Sequence, residues 1–83
     1  MKIIYFAWVR ERIGKSEEDL HCPDSVKDIN GLVDHLASLD EGYKDAFRER
    51  ERIKVAINQH HVDWVHPIKE SDEVAFFPPV TGG

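Results

Sequence analysis

Two apolar segments stand near opposite ends of this sequence, and they constrain the fold more than anything between them. Ile3 to Val9 reads Ile-Ile-Tyr-Phe-Ala-Trp-Val. A short, almost continuous apolar run predicts a strand covered on both faces, near the middle of a sheet. Glu73 to Phe77 is the second segment. Its alternation puts Val74 and Phe76 on one face and Ala75 and Phe77 on the other. A helical pattern lies between them, so the two strands can pair in parallel through a helical crossover. The expected class is α+β, a mixed sheet packed on one main helix.

That helix is expected from Ser25 to about Leu39. Val26, Ile29, Leu32, Val33, Leu36 and Leu39 recur at helical spacing and form one stripe. Pro23-Asp24-Ser25 opens it, with Ser25 and Asp28 spaced as a capping box. Asn30-Gly31 is also a hairpin signal, but the stripe continues on both sides of it. Arg10 to Gly14 reads as a polar turn, and Ser16 to Cys22 as an exposed strand antiparallel to the first. Tyr43, Ala46 and Phe47 predict a shorter helix within Gly42 to Arg52. Ile53, Val55 and Ile57 alternate with polar or small residues as a strand does. Asn58 to His61 is expected as a turn, and Val62 to Trp64 as a short strand. Pro78-Pro79 ends the last strand, because neither residue donates to a ladder.

With 83 residues the chain makes one domain. The natural division is a folded body over 1–77 and an extended tail over 78–83. A domain this small has little room for an enclosed active site, and it more often presents a surface or a terminus to a larger partner. The formal charge of −5 argues against nucleic acid and favours a partner with a basic surface. Cys22 is the single cysteine, which fits a reducing compartment. No apolar run is long enough to span a bilayer. No signal-peptide pattern is present, and a cytoplasmic location is expected.

Side-chain chemistry is sparse. His60, His61 and His66 lie close in sequence, but without a second cysteine they read as solvated turn residues rather than a metal site. Cys22 lacks the cationic surroundings of a reactive thiol. There is no Ser-His-Asp order, P-loop or dinucleotide fingerprint.

The tail is different. It reads Phe77-Pro78-Pro79-Val80-Thr81-Gly82-Gly83. Pro78-Pro79 favours an extended exit from the last strand, and the six residues from Pro78 can reach about 20 Å. Gly82-Gly83 has no Cβ and can thread a narrow tunnel. A terminal carboxylate on such an arm can be delivered deep into another protein, and an activated glycine has no chiral centre to racemise. Those are the needs of a carboxylate activated as an acyl-adenylate.

Three stretches resemble the molybdopterin synthase small-subunit family, which is β-grasp and ubiquitin-like. Phe6-Ala7-Trp8-Val9-Arg10-Glu11-Arg12-Ile13-Gly14 is similar to the family's Phe-Ala-x-Leu-Arg-Glu-x-x-Gly segment, with Val9 in place of the usual Leu. Val55-Ala56-Ile57-Asn58 resembles its middle strand and turn. Asp72 through Gly83 resembles its C-terminal signature. The resemblance implies a sulfur carrier in molybdenum cofactor biosynthesis. An E1-like adenylating enzyme would use ATP and Mg²⁺ to activate Gly83, and a sulfur donor protein would convert it to a thiocarboxylate. The large synthase subunit would receive the tail, and sulfur would pass to cyclic pyranopterin monophosphate. On this reading Gly83 bears the sulfur, and Gly82 and Thr81 are inserted with it. Phe77, Phe76, Pro78 and Pro79 would meet the partner, while the chain itself binds no cofactor or metal and does no side-chain catalysis. The alternatives are a thiamine-type sulfur carrier and a ubiquitin-like protein modifier.

Overall fold

In the computed structural model, which describes residues 1–79, the chain forms β1 (Lys2–Tyr5), α1 (Ala7–Ile13), β2 (Glu17–Asp19), α2 (Ile29–Leu39), α3 (Glu41–Ala46), β3 (Lys54–Ile57), β4 (His60–Val62) and β5 (Glu73–Phe77). The sheet order is β2-β1-β5-β3-β4. The terminal strands β1 and β5 are parallel neighbours, with Ile3 opposite Val74 and Tyr5 opposite Phe76. Every other pair is antiparallel. This is the β-grasp arrangement expected from the sequence. The helices bury one face of the sheet. Ile3, Tyr5, Val74 and Phe76 from the strands meet Ile29, Leu32, Val33 and Leu36 from α2 in one core.

The first apolar run is not one strand. β1 stops at Tyr5, and Ala7, Trp8 and Val9 begin a helix where the sequence predicts strand and then turn. Val9 is fully buried and Ile13, one turn on, packs against the core. Gly14 closes α1 in the left-handed conformation (φ 91°), its N–H donating to the Arg10 carbonyl at 2.8 Å. A run bounded this way cannot be told from strand by hydrophobicity alone.

Four further boundaries move. α2 starts at Ile29, not Ser25, because Asp28 is the N-cap and its Oδ1 accepts from the Gly31 N–H at 2.8 Å. A Cβ on Gly31 would approach that oxygen to 3.3 Å, so the glycine fits a tight cap rather than a hairpin. The second helix ends at Ala46, and a separate 3-10 turn covers Arg50–Arg52. Asn58 and Gln59 alone make the turn between β3 and β4, both at positive φ (51° and 70°), as a two-residue hairpin requires. His60 and His61 are therefore strand residues, and β2 is shorter than expected.

Candidate functional site

β5 sets the geometry of the end from which the tail continues. Burial alternates strictly along it: Val74 and Phe76 are fully buried, while Ala75 and Phe77 are half-buried on the opposite face. Phe76 packs edge-on against Phe47 at 4.9 Å and beside Tyr5 and Trp64. It is a core residue. The expectation that Phe76 joins Phe77 at a docking surface is corrected by this alternation, because adjacent strand residues point to opposite faces.

Phe77 lies across from Lys54 of β3, and its ring stands 5.3 Å from that of His61 on β4. Together with Val55, Val62, Asp63 and Pro79 these residues line a surface groove of about 550 Å³. Phe6 is 47% exposed, and its N–H donates to the Phe76 carbonyl at 3.1 Å. That bond ties the start of α1 to the end of β5. The ladder partners of β5 run only to Phe77, and Pro78 and Pro79 follow without N–H donors. Thr81, Gly82 and Gly83 lie outside the described residues. The sequence marks Phe6 only within the resembling segment and His61 only as a solvated turn residue, and it places neither of them, nor Lys54, beside Phe77. Phe6 shares the outward parity of Ile4, the one signal that could have marked it.

The remaining candidates do not assemble a reactive centre. His60 and His61 are exposed on β4, and His66 Nδ1 donates to the Pro67 carbonyl at 2.8 Å. Among the described residues, no three His, Cys, Asp or Glu side chains group as metal ligands. Cys22 is buried, and burial, helped by the nearby Glu70 charge, pushes its thiol pKa up. Asp72 is buried but satisfied, accepting from Asn58 Nδ2 at 3.0 Å and from the Lys69 N–H at 2.9 Å. On the far edge, the Tyr5 hydroxyl donates to Glu18 Oε2 at 2.7 Å, and Tyr43 donates to the same oxygen. Burial would raise the Glu18 carboxyl pKa, but the two hydroxyls and Lys15 outweigh it and hold it below the ordinary value. Among the described residues, no helix is long and apolar enough to cross a membrane.

The described chemistry thus converges on one end of the sheet, where an aromatic face borders the start of the tail. Comparison with known proteins assigns the chain on that architecture and on its full length. The ThiS family model matches residues 3–83. The chain belongs to the ThiS family. ThiS-family relatives include the molybdopterin synthase sulfur carrier subunit of Escherichia coli, which is 36% identical over 83 residues, covering 100% of this chain and 99% of the relative. Small archaeal modifier protein 1 of Haloferax volcanii shares the fold with a TM-score of 0.74 at 25% identity, over 100% of this chain and 98% of that one. A chain from the complex of subunits 1 and 2 of the Helicobacter pylori molybdopterin-converting factor superposes with a TM-score of 0.66, at 23% identity over 99% and 96%. The resemblance of this ThiS-family chain to molybdopterin synthase small subunits therefore extends over its whole length.

Proposed function

We propose that the chain is the sulfur-carrying small subunit of molybdopterin synthase. It would donate sulfur from a Gly83 thiocarboxylate to cyclic pyranopterin monophosphate. The observation that carries this reading is its full-length similarity to the Escherichia coli sulfur carrier subunit. The geometry supports it: β5 is held between β1 and β3 and delivers Phe77, Pro78 and Pro79 at one end of the fold. The strand is an anchored base, and the tail residues after it would supply the reach.

In this cycle the Gly83 carboxylate attacks the α-phosphorus of ATP on an E1-like enzyme, and pyrophosphate leaves. Sulfide-level sulfur supplied by a donor protein then attacks the acyl carbon and AMP leaves, giving the thiocarboxylate with no change of oxidation state. ATP and Mg²⁺ belong to the activating enzyme; this chain contributes an acid, an arm and a docking face. The face is the groove around Phe77, which would seat on the large subunit while the tail enters it. The chain itself would be the sulfur-donating subunit of a sulfurtransferase, acting in the cytoplasm.

Intact-protein mass after incubation with an activating enzyme, ATP and a sulfur donor tests the proposal. The expected gain is one sulfur in place of one oxygen, located at Gly83. The modified chain, mixed with a large subunit, should then convert the pyranopterin precursor. A second reading, conjugation of Gly83 to lysines, draws on the likeness to the Haloferax volcanii modifier. Transfer of the activated chain to protein amines, with none to the pterin, would favour it instead.

A further inference from the structure

The net charge of −5 is distributed unevenly. Residues 6–15 and 47–54 together hold seven of the eleven basic residues and only three of the sixteen acidic ones. The fold brings Arg12 and Arg52 of these two segments together, while Lys15, Arg48 and Arg50 pair with Glu18, Asp45 and Asp34. The Trp8 ring of α1 has the Arg12 guanidinium over it at 4.6 Å and that of Arg52 at 5.6 Å. Arg52 lies two residues before Lys54, which pairs with Phe77 across the sheet. An arginine-flanked tryptophan therefore borders the Phe77 groove at the end of β5. Arg12 and Arg52 do have carboxylate neighbours, Asp45 at 4.0 Å and Glu49 at 3.0 Å. Those pairs are exposed, and exposed pairs hold their charges weakly. Both guanidiniums stack on the partly buried Trp8 ring, and both side chains remain exposed.

We propose that the surface formed by Trp8, Arg12, Arg52 and Lys54 is a second contact, continuous with the Phe77 groove, that takes an acidic segment of the partner protein. The inference rests on the docking reading above and adds the sign of the partner's charge beside the groove. Whole-molecule charge predicts a basic partner, whereas this surface selects an acidic one at the point of tail entry. Opposite charge at the contact speeds association and is screened by salt. Guanidiniums held on an aromatic face are preorganised to meet carboxylates.

Association kinetics of the full chain with a molybdopterin synthase large subunit test this at several salt concentrations. Wild type should bind more slowly as salt rises. The double substitution R12Q/R52Q should associate about tenfold more slowly at low salt, with a flatter salt dependence, while circular dichroism shows it still folded at the assay temperature. R12K/R52K, which keeps charge but not the planar fork, should recover most of the rate. Faster association of R12Q/R52Q would mean a basic partner surface and would overturn the proposal, as would an unchanged rate and salt slope. A single-stranded oligonucleotide that binds wild type and is released by R12Q/R52Q, with partner association unmoved, would overturn it in favour of nucleic acid. Phe77→Ala separates the two readings. If it weakens binding and R12Q/R52Q does not, only this inference falls. If Phe77→Ala binds as wild type, the docking reading falls and takes this inference with it.

Discussion

Phe76 and Phe77 are adjacent and chemically identical, yet the strand assigns them opposite work. Phe76 is fully buried among Tyr5, Phe47 and Trp64. Removing an aromatic side chain from such a site costs about 3–5 kcal/mol. A chain this size has only about 4–12 kcal/mol in total. Phe76→Ala should therefore be largely unfolded or melt far below wild type, as read by circular dichroism. Phe77→Ala leaves the core intact, so its melt should shift little, while its affinity for the large subunit should fall by about 2 kcal/mol or more in a calorimetric titration. Equal effects of the two substitutions on the melt would contradict the face assignment. Glu18 supplies a pH signature. Its carboxyl titrates below its ordinary value of 4.5 in the folded chain, because its Tyr43 and Tyr5 hydrogen bonds and Lys15 outweigh burial. A depressed value means that the stabilisation is present above the ordinary value and is lost as pH falls through the folded one. Glu18→Gln should thus flatten the loss of urea stability below about pH 4.5. An acid limb as steep as that of wild type would show that other carboxylates carry it.

At the scale of elements, the start of α2 offers a direct contrast. The sequence pairs Ser25 with Asp28 as a capping box, whereas Asp28 alone caps the helix. Asp28→Ala should cost about 1 kcal/mol. Ser25→Ala should stay within about 0.5 kcal/mol of wild type, as exposed substitutions outside such features do. Denaturant midpoints of the two variants check this. The stripe from Ile29 to Leu36 and the alternation from Glu73 to Phe77 are periodic over enough residues to name their elements, and the parallel pairing of β1 with β5 follows from them. The run from Ile3 to Val9 is too short and too uniformly apolar for that. Half of it became strand and half became α1, and only the Val9–Ile13 spacing with Gly14 behind it hinted at the helix. Phe77, Pro78 and Pro79 were legible because they lie together in sequence. Phe6, Lys54 and His61 were not, because three different strands or their ends carry them to the same place.

The proposed function assigns the molecule as a whole a folded base and a tail that would reach into the partner, and that division makes a prediction about Gly83. The proposed docking face lies on the sheet and ends at Pro79; the chemistry proposed for the chain is four residues farther on in sequence. Deleting Gly83 touches neither the core nor the groove, so the shortened chain should fold with the wild-type melt and bind the large subunit with wild-type affinity. Its arm, however, falls short by one residue, about 3.3 Å. A reacting group misplaced by even about 1 Å can lose about 100-fold in rate, so a terminus withdrawn by a full residue should leave sulfur transfer undetectable. Adding a residue after Gly83 should fail for a different reason: an amide then stands at Gly83, no adenylate can form on that residue, and the new terminal carboxylate lies about 3.3 Å beyond the reacting position. Both variants should therefore occupy the partner without serving it. In a reconstituted assay each should inhibit competitively, and excess thiocarboxylated wild type should relieve the inhibition. A chain lacking Gly83 that still gained sulfur and supported pterin conversion at the wild-type rate would place the reactive group elsewhere and end the case for a terminal carrier.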